Sequence, residues 1–376
     1  MKNPVPFRRK ARKVLVITLC WTLLVTLSYI SNYYFVTDLV RLGKLQGTYA
    51  FWPDFTAQAI LGVFGGLVGG YLLVFRMDKR YKKRSFAFGI INSGLSFILF
   101  YLAIAIAGLF FLALAYFSLQ ESVREAAQRS WHNVIVNLNT PSFIWTMAFA
   151  ALLVSGTQFM LQVNDKFGSG VLWKFITGKY YLPRQEERIF MFLDLKSSTT
   201  IAEKIGSRHF FELLREIFRD ITEPIIDSLG EIYQYVGDEV IITWTVDNGM
   251  KDNNCLDCFF RIEKLIEEKS AYYLKQYGHV PFFKAGLHLG EATVGEIGII
   301  KKDIVFSGDV LNTAARIQGE CNHYQVGLLA SSELMQHLHI DGAYQKVHMG
   351  EIRLRGKENM VALNSVTISK GHKMAL

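Results

Sequence analysis

The chain has 376 residues, of which 51% are hydrophobic and 20% are charged. This composition is too apolar for a disordered chain and for an ordinary soluble enzyme. Four cysteines in a chain of this length exclude a small disulfide-stabilised scaffold. Many of the basic residues behind the net charge of +8 flank apolar segments, so we interpret them first as signals of membrane orientation.

Apolar residues concentrate in residues 1–165, and this part of the chain is predicted to be a membrane domain. A helix needs roughly 20 apolar residues to cross a bilayer, and four segments are long enough. The predicted transmembrane helices are residues 14–36, 55–75, 86–117 and 143–163. The third segment is longer than one crossing requires, and dividing it would move everything after it to the other side of the membrane.

Lysine and arginine in the short loops predict how the membrane domain is oriented. Residues 8–13 and 76–84 are strongly basic, whereas the loops after the first and third predicted helices are much less so. Basic loops stay in the cytoplasm, so the N-terminus and everything after residue 164 are expected there. Residues 118–141 are then expected to form a polar loop on the opposite side.

Glycine recurs at every fourth position of the second predicted helix, at Gly62, Gly66 and Gly70. This spacing places small residues on one helix face, where another helix can approach closely. The approaching helix belongs either to the same bundle or to a second copy of the chain. The predicted helices contain no Asp, Glu, Lys or Arg, which disfavours a transport function.

Residues 166–186 mix basic and aromatic side chains and are predicted to be a linker. This composition is typical of an interfacial connector with aromatic anchors, and it also suits a hinge that transmits a signal. Pro183 argues against one continuous helix from the membrane into the next domain.

Residues 187–370 alternate between strand-like and helix-like patterns and are long enough for one globular domain. Because strands and helices intermix, we expect an α/β fold with an antiparallel or mixed sheet. Residues 199–229 predict a helix that Pro224 kinks or divides. The predicted strands are residues 188–195, 231–236, 239–244, 282–289, 304–306, 327–330, 344–347, 352–354 and 360–366.

Asp194 ends an apolar strand and is followed by Ser197, Ser198 and Thr199 before a predicted helix. A carboxylate in an apolar strand is costly unless it is paired or bound to a cation. The Ser/Thr run offers an N-cap, and the free backbone N–H groups of a helix start can bind phosphate.

Asp238 lies in the turn of the predicted hairpin, directly after Gly237. Hairpin turns favour aspartate, so turn geometry alone can explain this residue. If Asp194 and Asp238 meet at neighbouring strand ends, their oxygens can hold two Mg²⁺ ions, which prefer oxygen ligands and nucleotide phosphates.

Asn312 and Arg316 are four positions apart in a predicted helix and therefore share one of its faces. The planar donor fork of arginine suits phosphate. A solvated arginine beside a helix cap is the simpler explanation of these residues in isolation. Lys357 follows Arg355 in a predicted turn between strands, which by itself is commonly only a hairpin tip.

Together these segments resemble the catalytic domain of the class III nucleotidyl cyclases, the adenylate and guanylate cyclase family. They occur in the order of the family and span nearly all of residues 186–366. The matching segments are Phe192–Thr199, Gly230–Val240, Gly286–Gly295, Gly308–Arg316 and Leu354–Lys357. The preceding helices are similar to the membrane modules of some bacterial cyclases, which implies a bacterial inner (plasma) membrane.

The resemblance implies a cation site shared by two chains. Asp194 and Asp238, helped by the carbonyl of Leu195, would bind two divalent cations, Mg²⁺ or Mn²⁺. In this family the aspartates come from one chain, and the residues corresponding to Asn312 and Arg316 come from the other. A homodimer would therefore have two equivalent sites, and a monomer none.

The resemblance also implies the reaction. The 3′-oxygen of the substrate would attack its own α-phosphorus and release pyrophosphate. Asn312 would position the ribose, Arg316 would stabilise the pentavalent phosphorus, and Lys357 would bind terminal phosphates. The segment Ser197–Thr199 would contribute to phosphate binding.

Base recognition is where the sequence departs from the family. The resemblance places the two base-reading positions at Gln234 and Val305. Neither the residue pair of adenylate cyclases nor that of guanylate cyclases is present. Gln can meet either purine edge, whereas Val makes no side-chain hydrogen bond. ATP is the expected substrate from the family's base rate, and a guanylate cyclase or dual-specificity purine nucleotide cyclase is the alternative.

Other functions fit parts of the sequence. A membrane receptor that binds nucleotide without turnover agrees with Gln234 and Val305, but the complete catalytic set argues against it. A diguanylate cyclase has a similar carboxylate-bearing hairpin, but Asn312 and Arg316 argue against that family. No nucleic-acid partner is expected, because the basic clusters lie at membrane edges. The membrane domain is expected to anchor the protein and align the dimer, and it also leaves room for an unidentified ligand or lipid.

Overall fold

The computed structural model describes residues 4–44, 51–77, 86–119, 122–168, 171–340, 342–353 and 360–369. The chain divides into two compact units, Met1–Phe167 and Gly168–Leu376. Among the described residues, the first unit is helical and the second carries the strands.

Long apolar helices make up most of the first unit. Four helices in its described part are long and apolar enough to cross a membrane, which confirms the four apolar helices predicted from the sequence. Their apolar windows lie within Lys10–Arg41, Phe51–Arg76, Ala87–Phe117 and Pro141–Lys166. The helices are α1 (Pro4–Arg41), α2 (Phe51–Tyr71, continuing as a π-helical turn Leu72–Met77), α3 (Phe86–Phe117), α4 (Val123–Leu138) and α5 (Pro141–Phe167).

The glycine stripe of α2 lies against α1 of the same chain. A Cβ added at Gly62 would lie 2.8 Å from Thr22 Cα, and one added at Gly66 would lie 2.6 Å from Thr18 Cα. Backbones can approach this closely only where a residue has no side chain. This face of α2 therefore packs within the bundle.

The expectation of a polar loop over residues 118–141 is wrong, because most of this segment forms helix α4. A capping box begins the helix. The Glu125 carboxylate accepts hydrogen bonds from Ser122 N at 3.3 Å and Ser122 Oγ at 2.6 Å. The Ser-x-x-Glu spacing is the sequence signal for this helix start, and it outweighs the polar character of the segment.

Helix α4 packs against α3. Its buried residues Ala126, Ser130 and Val134 are four positions apart and therefore form one face. The ring centroid of Trp131 lies 5.4 Å from that of Phe110 on α3. The two helices thus form a hairpin with its own buried contacts.

The second unit alternates helices and strands around one sheet. Its helices are α6 (Val171–Ile176), α7 (Ser198–Ile205), α8 (Ser207–Asp227), α9 (Val246–Met250), α10 (Asn254–Glu268), α11 (Ser270–Tyr277), α12 (Asp309–Tyr324) and α13 (Ser332–His337). Its strands are β1 (Arg184–Leu195), β2 (Glu231–Val236), β3 (Glu239–Thr245), β4 (Phe283–Ile297), β5 (Asp303–Ser307), β6 (Leu328–Ser331), β7 (Tyr344–Arg353) and β8 (Met360–Ile368).

The strands form one sheet in the order β2-β3-β1-β4-β6-β8-β7, and β5 pairs with β4 beside this path. Strands β4 and β6 are parallel and the other paired strands are antiparallel, so the predicted mixed sheet is confirmed. Strand β1 lies between β3 and β4. Asp194 is therefore opposite Glu239 on one side and Lys284 on the other.

Strand β1 is buried on both faces, as its unbroken apolar run predicts. Ile189, Met191 and Leu193 pack into a core that includes residues of α8 and α10. Phe190 and Phe192 pack into a second core on the other face, which includes residues of α12. Two covered faces hold the end of β1, and with it Asp194, in a fixed position.

Helix α12 crosses β4 at close range. A Cβ added at Gly286 would lie 2.2 Å from Gln318 N and 2.6 Å from Ala314 O. Because both atoms belong to the backbone of α12, only glycine at position 286 permits this approach. The glycine therefore sets the height of α12 above the sheet.

Two predicted boundaries differ from the structure. The helix expected over residues 199–229 is divided at Gly206, with φ 81° and ψ 152°, and not at Pro224. Gly206 adopts a backbone conformation that other residues rarely take, whereas Pro224 lies inside α8 near its end. The two short strands expected near 344–347 and 352–354 form the single strand β7, with a register shift near Gly350.

Most of the predicted linker belongs to the second unit and packs against its strands. Tyr180 is fully buried and donates to Glu186 Oε1 at 3.0 Å, and Lys174 Nζ lies 2.8 Å from Glu231 Oε2. Arg188 is 1% exposed and pairs with Glu186 at 3.0 Å and Glu231 at 3.5 Å. A buried guanidinium needs such partners, and they also join the segment before β1 to strands β1 and β2.

Candidate active site

The candidate site lies at the end of β1, where Asp194 interrupts the apolar run. Lys284 Nζ lies 3.1 Å from Asp194 Oδ2. Gln318 Nε2, on α12, donates to the same oxygen at 3.0 Å. The pairing expected for a carboxylate in an apolar strand is thus present, with one cationic and one neutral donor.

The β2–β3 hairpin turn brings a second aspartate to this point. Gly237 has φ 63°, which suits a tight hairpin turn, and Asp238 follows it. The Asp238 carboxyl is within hydrogen-bonding reach of Asp194. Glu239 is the cross-strand neighbour of Asp194. The structure therefore brings the two predicted aspartates together and adds Glu239 as a third carboxyl group.

The cluster carries an excess of negative charge. Burial raises the pKa of the Asp194 carboxyl; Lys284 opposes this change, and the charge of Asp238 adds to it. Burial, followed by the charges of Asp194 and Asp238, raises the pKa of Glu239 to about 7. Carboxyl groups that raise one another's pKa in this way are stabilised when a cation binds between them.

Oxygen donors of this kind suit hard divalent cations. Asp194 and Asp238 supply carboxylates, and Mg²⁺ or Mn²⁺ readily takes further oxygen ligands from phosphates and water. Among the described ranges, no group of three or more His, Cys, Asp or Glu residues has the arrangement of a metal centre. Two carboxylates leave ligand positions for other oxygens, so they fit cations that a phosphate-bearing substrate helps to hold.

Strand β1 ends at Leu195, directly after Asp194, and helix α7 begins at Ser198. The side chain of Leu195 is buried in the core, so only its backbone carbonyl can serve as a ligand. Ser197 has φ 58° and its side chain does not cap α7, so the N-cap hydrogen bond expected there is not formed. Ser198 and Thr199 form the first turn of α7, which supplies the backbone N–H groups of the predicted phosphate site.

Helix α12 carries the second predicted pair. Asn312 and Arg316 are both exposed and lie one turn apart on the same face. Gln318, two positions further on, contacts Asp194 of the same chain. Two positions correspond to about 200° around a helix, so Arg316 and Gln318 lie on opposite faces. Arg316 therefore lies on the side of α12 opposite the residue that contacts Asp194 of its own chain.

The two predicted base-reading positions lie on strands that are not adjacent in the sheet, but residues next to them meet, since Phe306 N donates to the Tyr233 hydroxyl at 3.3 Å. Gln234 is exposed on the edge strand β2, whereas Val305 is half-buried on β5, which pairs with β4. Strands β3, β1 and β4 lie between them. Lys357, predicted to bind terminal phosphates, lies outside the described residues.

Sequence reasoning missed three residues of the cluster. Lys284 was part of a predicted apolar strand, and a lone charge in such a strand was the available signal. Glu239 was visible as the residue after Asp238 but had no assigned role. Gln318 gave no local signal, because its contact with Asp194 depends on how α12 lies over the sheet.

Comparison with known proteins agrees with this geometry. Residues 181–364 match the sequence model described as the adenylate and guanylate cyclase catalytic domain. Adenylate cyclase 2 of Rhizobium meliloti (strain 1021) is 36% identical over 218 residues, which are 58% of this chain and 60% of that protein. Adenylate cyclase 1 of the same organism is 27% identical over 178 residues, 46% of this chain and 25% of that protein.

The fold also matches a solved structure. A bacterial light-regulated adenylyl cyclase superposes with a TM-score of 0.52 at 19% identity, covering 63% of this chain and 68% of that one. The chain spans less than two thirds of the length of both relatives. The resemblance inferred from five motifs is confirmed by this match of residues 181–364 to the adenylate and guanylate cyclase catalytic domain.

Proposed function

We propose that this protein is a membrane-anchored adenylate cyclase that converts ATP to 3′,5′-cyclic AMP and pyrophosphate. One observation carries the proposal. The Asp194 and Asp238 carboxyls meet beside Lys284, while α12 presents Asn312 and Arg316 on its opposite, exposed face. The names of the curated relatives support ATP as the substrate.

The two aspartates and the Leu195 carbonyl would hold two divalent cations, Mg²⁺ or Mn²⁺. When bound, such cations polarise phosphoryl oxygens and favour ionisation of the attacking hydroxyl. The negative charge around Asp194 and Glu239 supports this assignment, because the cluster holds more carboxyl groups than ammonium groups.

The active site would form between two copies of the chain. Both Asn312 and Arg316 are exposed, and Arg316 lies on the face of α12 opposite Gln318, which contacts Asp194 of the same chain; this supports a role for them in the site of a partner. In a symmetric homodimer each chain gives its aspartates to one site and its α12 pair to the other. Such a dimer has two equivalent sites.

The residues would bind and orient ATP for in-line attack. The 3′-hydroxyl loses its proton to water, its oxygen forms a bond to the α-phosphorus as the bond to the bridging oxygen breaks, and pyrophosphate leaves with that oxygen. Asn312 would fix the ribose, and Arg316 would donate to the oxygens on which charge develops. The first turn of α7 and Lys357 would hold the terminal phosphates.

Base selection is the least constrained part of the site. Gln234 can donate to or accept from either purine, and Val305 contributes no hydrogen bond. These two residues favour an alternative in which the enzyme also uses GTP, as a guanylate or dual-specificity cyclase. The alternative changes the substrate and leaves the cation and phosphate chemistry unchanged.

The helices of the first unit would anchor the enzyme in a bacterial inner membrane. Basic residues flanking the first and second helices support a cytoplasmic N-terminus and a cytoplasmic catalytic domain. In this assignment residues 1–165 form the membrane domain, 166–186 the linker and 187–370 the catalytic domain. The bundle would also align the two catalytic domains.

The decisive experiment measures cyclic nucleotides made by the purified full-length protein. ATP and GTP are tested separately, each with Mg²⁺ and with Mn²⁺, beside the Asp194→Ala variant. Cyclic AMP that disappears in the variant is the expected result. Predominant cyclic GMP would select the alternative substrate. No product from either nucleotide, in protein verified as dimeric, would contradict the proposal and favour a receptor that binds nucleotide without turnover.

Mixing two inactive variants tests the shared site. Asp194→Ala and Arg316→Ala chains should each be inactive alone. Co-expressed in equal amounts they form heterodimers with one intact site, so about a quarter of the wild-type activity should return. No recovery in co-purified heterodimers would contradict a site shared between chains.

A further inference from the structure

We propose that Gln318 is a positioning residue that holds the Asp194 carboxylate in the orientation for binding a divalent cation. This inference rests on the proposed function and adds a residue to which that function gives no role. Gln318 is 7% exposed, and its Nε2 donates to Asp194 Oδ2 at 3.0 Å. The contact joins α12 to the end of β1.

The backbone of Gln318 is fixed where α12 crosses β4. The position of a Cβ on Gly286 would be only 2.2 Å from Gln318 N, so helix and strand are already at their closest approach. The neighbouring residues Ile317 and Cys321 are buried. The amide donor therefore stands on a rigid base, which is what precise orientation of a metal-binding carboxylate requires.

The charge of the donor distinguishes Gln318 from Lys284. Both contact the same oxygen, Asp194 Oδ2. A divalent cation bound to Asp194 repels the Lys284 ammonium, whereas an amide carries no net charge. Gln318 is therefore the donor that keeps its hydrogen bond to Oδ2 while the other oxygen binds a cation.

The position of Gln318 on α12 connects the two sites of the proposed dimer. Asn312 and Arg316 lie on the exposed face of the helix and would act in the site of the partner. Gln318 lies on the opposite face and acts on Asp194 of its own chain. One rigid helix thus contributes to both sites.

The test measures Mn²⁺ binding to the full-length protein without nucleotide, from the electron paramagnetic resonance signal of free Mn²⁺. Gln318→Met keeps the volume and removes the donor, and Gln318→Asn keeps an amide that is too short to reach Asp194. Both should weaken Mn²⁺ binding about 10-fold or more, as loss of a hydrogen bond to a metal-binding carboxylate typically does.

The matched control is Cys321→Ala. Cys321 is buried on α12, and its Sγ lies 3.3 Å from Ala285 O, away from any carboxylate. This variant loosens the packing of α12 on β4 without removing the Asp194 contact. Its Mn²⁺ affinity should stay within about twofold of wild type, because the hydrogen bond from Gln318 Nε2 to Asp194 is still made.

Unchanged Mn²⁺ affinity in both Gln318 variants would overturn the proposal, and so would an equal loss in Cys321→Ala. Wild-type binding no stronger than that of Asp194→Ala would overturn it as well. If Gln318→Met does not fold, judged by its thermal midpoint, Gln318→Asn decides. The Mn²⁺ binding measurement needs no turnover. A wild-type protein that makes no cyclic nucleotide would therefore contradict the proposed function and leave the conclusion about Gln318 unchanged.

Discussion

Lys284 on β4 and Asp194 on β1 face each other across neighbouring strands, with Nζ 3.1 Å from Oδ2. Their side chains are only 15% and 21% exposed. The ammonium is the positive charge that pairs with Asp194 in the carboxyl cluster, so it competes with a divalent cation for the same oxygens.

Replacing Lys284 by methionine should therefore strengthen Mn²⁺ binding by the full-length protein. Two unit charges about 4 Å apart interact by roughly 1 kcal/mol even in water, so the affinity should rise about fivefold or more. The change is opposite in sign to that expected for Gln318→Met. Lys275→Met, which removes the same charge from an exposed position on α11, is the control. Weaker Mn²⁺ binding by Lys284→Met would show that the lysine supports the cation site.

Gly286→Ala should destabilise the protein and reduce its cyclase activity. The added methyl group meets backbone atoms of α12 at 2.2 and 2.6 Å, so the helix must move away from β4. Overpacking of this kind costs about 1–3 kcal/mol, and here it also displaces Asn312 and Arg316. Thermal unfolding midpoints and cyclic nucleotide formation measure the two effects.

Gly319→Ala is the control on the same helix. Nothing lies within 4 Å of a Cβ at this position, so the substitution should only remove the cost of glycine in a helix. That gain is up to about 1 kcal/mol, and the midpoint should rise slightly. A Gly286→Ala midpoint equal to or above that of wild type would contradict the close approach of α12 to β4.

Local sequence patterns predicted the parts of the site that depend on one segment. The apolar run before Asp194 and the Gly237-Asp238 turn are local signals, and they predicted the end of β1 and the β2–β3 hairpin. The family resemblance supplied the expectation that the two aspartates meet. Lys284 required the register between β1 and β4, and no local pattern encodes a register between strands so distant in sequence.

The errors in the helices have a different cause, which is competition between local signals. Pro224 is a strong helix breaker in isolation, yet α8 continues past it and the break occurs at Gly206. The capping box at Ser122 and Glu125 was a local signal for α4 that overall polarity concealed. Polarity indicates exposure to water, whereas the capping pattern indicates where a helix begins.

Glu216 provides a test of pH dependence outside the active site. On α8 it accepts hydrogen bonds from Tyr277 at 2.8 Å and Tyr272 at 3.0 Å, both on α11, and it pairs with Arg219. Burial raises the pKa of Glu216, but these three partners lower it more, so its pKa lies below the ordinary 4.5. A carboxyl with a lowered pKa stabilises the folded state above its unfolded pKa, and that contribution is lost as pH falls through the folded value.

Glu216→Gln should therefore lower the thermal midpoint near neutral pH. The loss should correspond to about 1 kcal/mol, because a neutral acceptor replaces a charged one. The difference from wild type should shrink as pH falls below the ordinary 4.5. Glu212→Gln, one turn earlier and in a 3.9 Å ion pair with the highly exposed Arg208, should show little change. A difference between Glu216→Gln and wild type that grows on acidification would contradict the lowered pKa.

Neighbouring glycines of α2 test the packing of the membrane helices. A Cβ at Gly66 would lie 2.6 Å from Thr18 Cα on α1, whereas one at Gly65 meets nothing within 4 Å. Gly66→Leu should push α1 and α2 apart and lower the thermal midpoint of the full-length protein in detergent, because these helices are held by close backbone contact. Gly65→Leu adds the same side chain to a neighbouring position of α2 and should leave the midpoint nearly unchanged. Equal losses in both variants, or a larger loss for Gly65→Leu, would mean that α1 does not cover the Gly62 and Gly66 face and that the stripe meets another helix, such as that of a second copy.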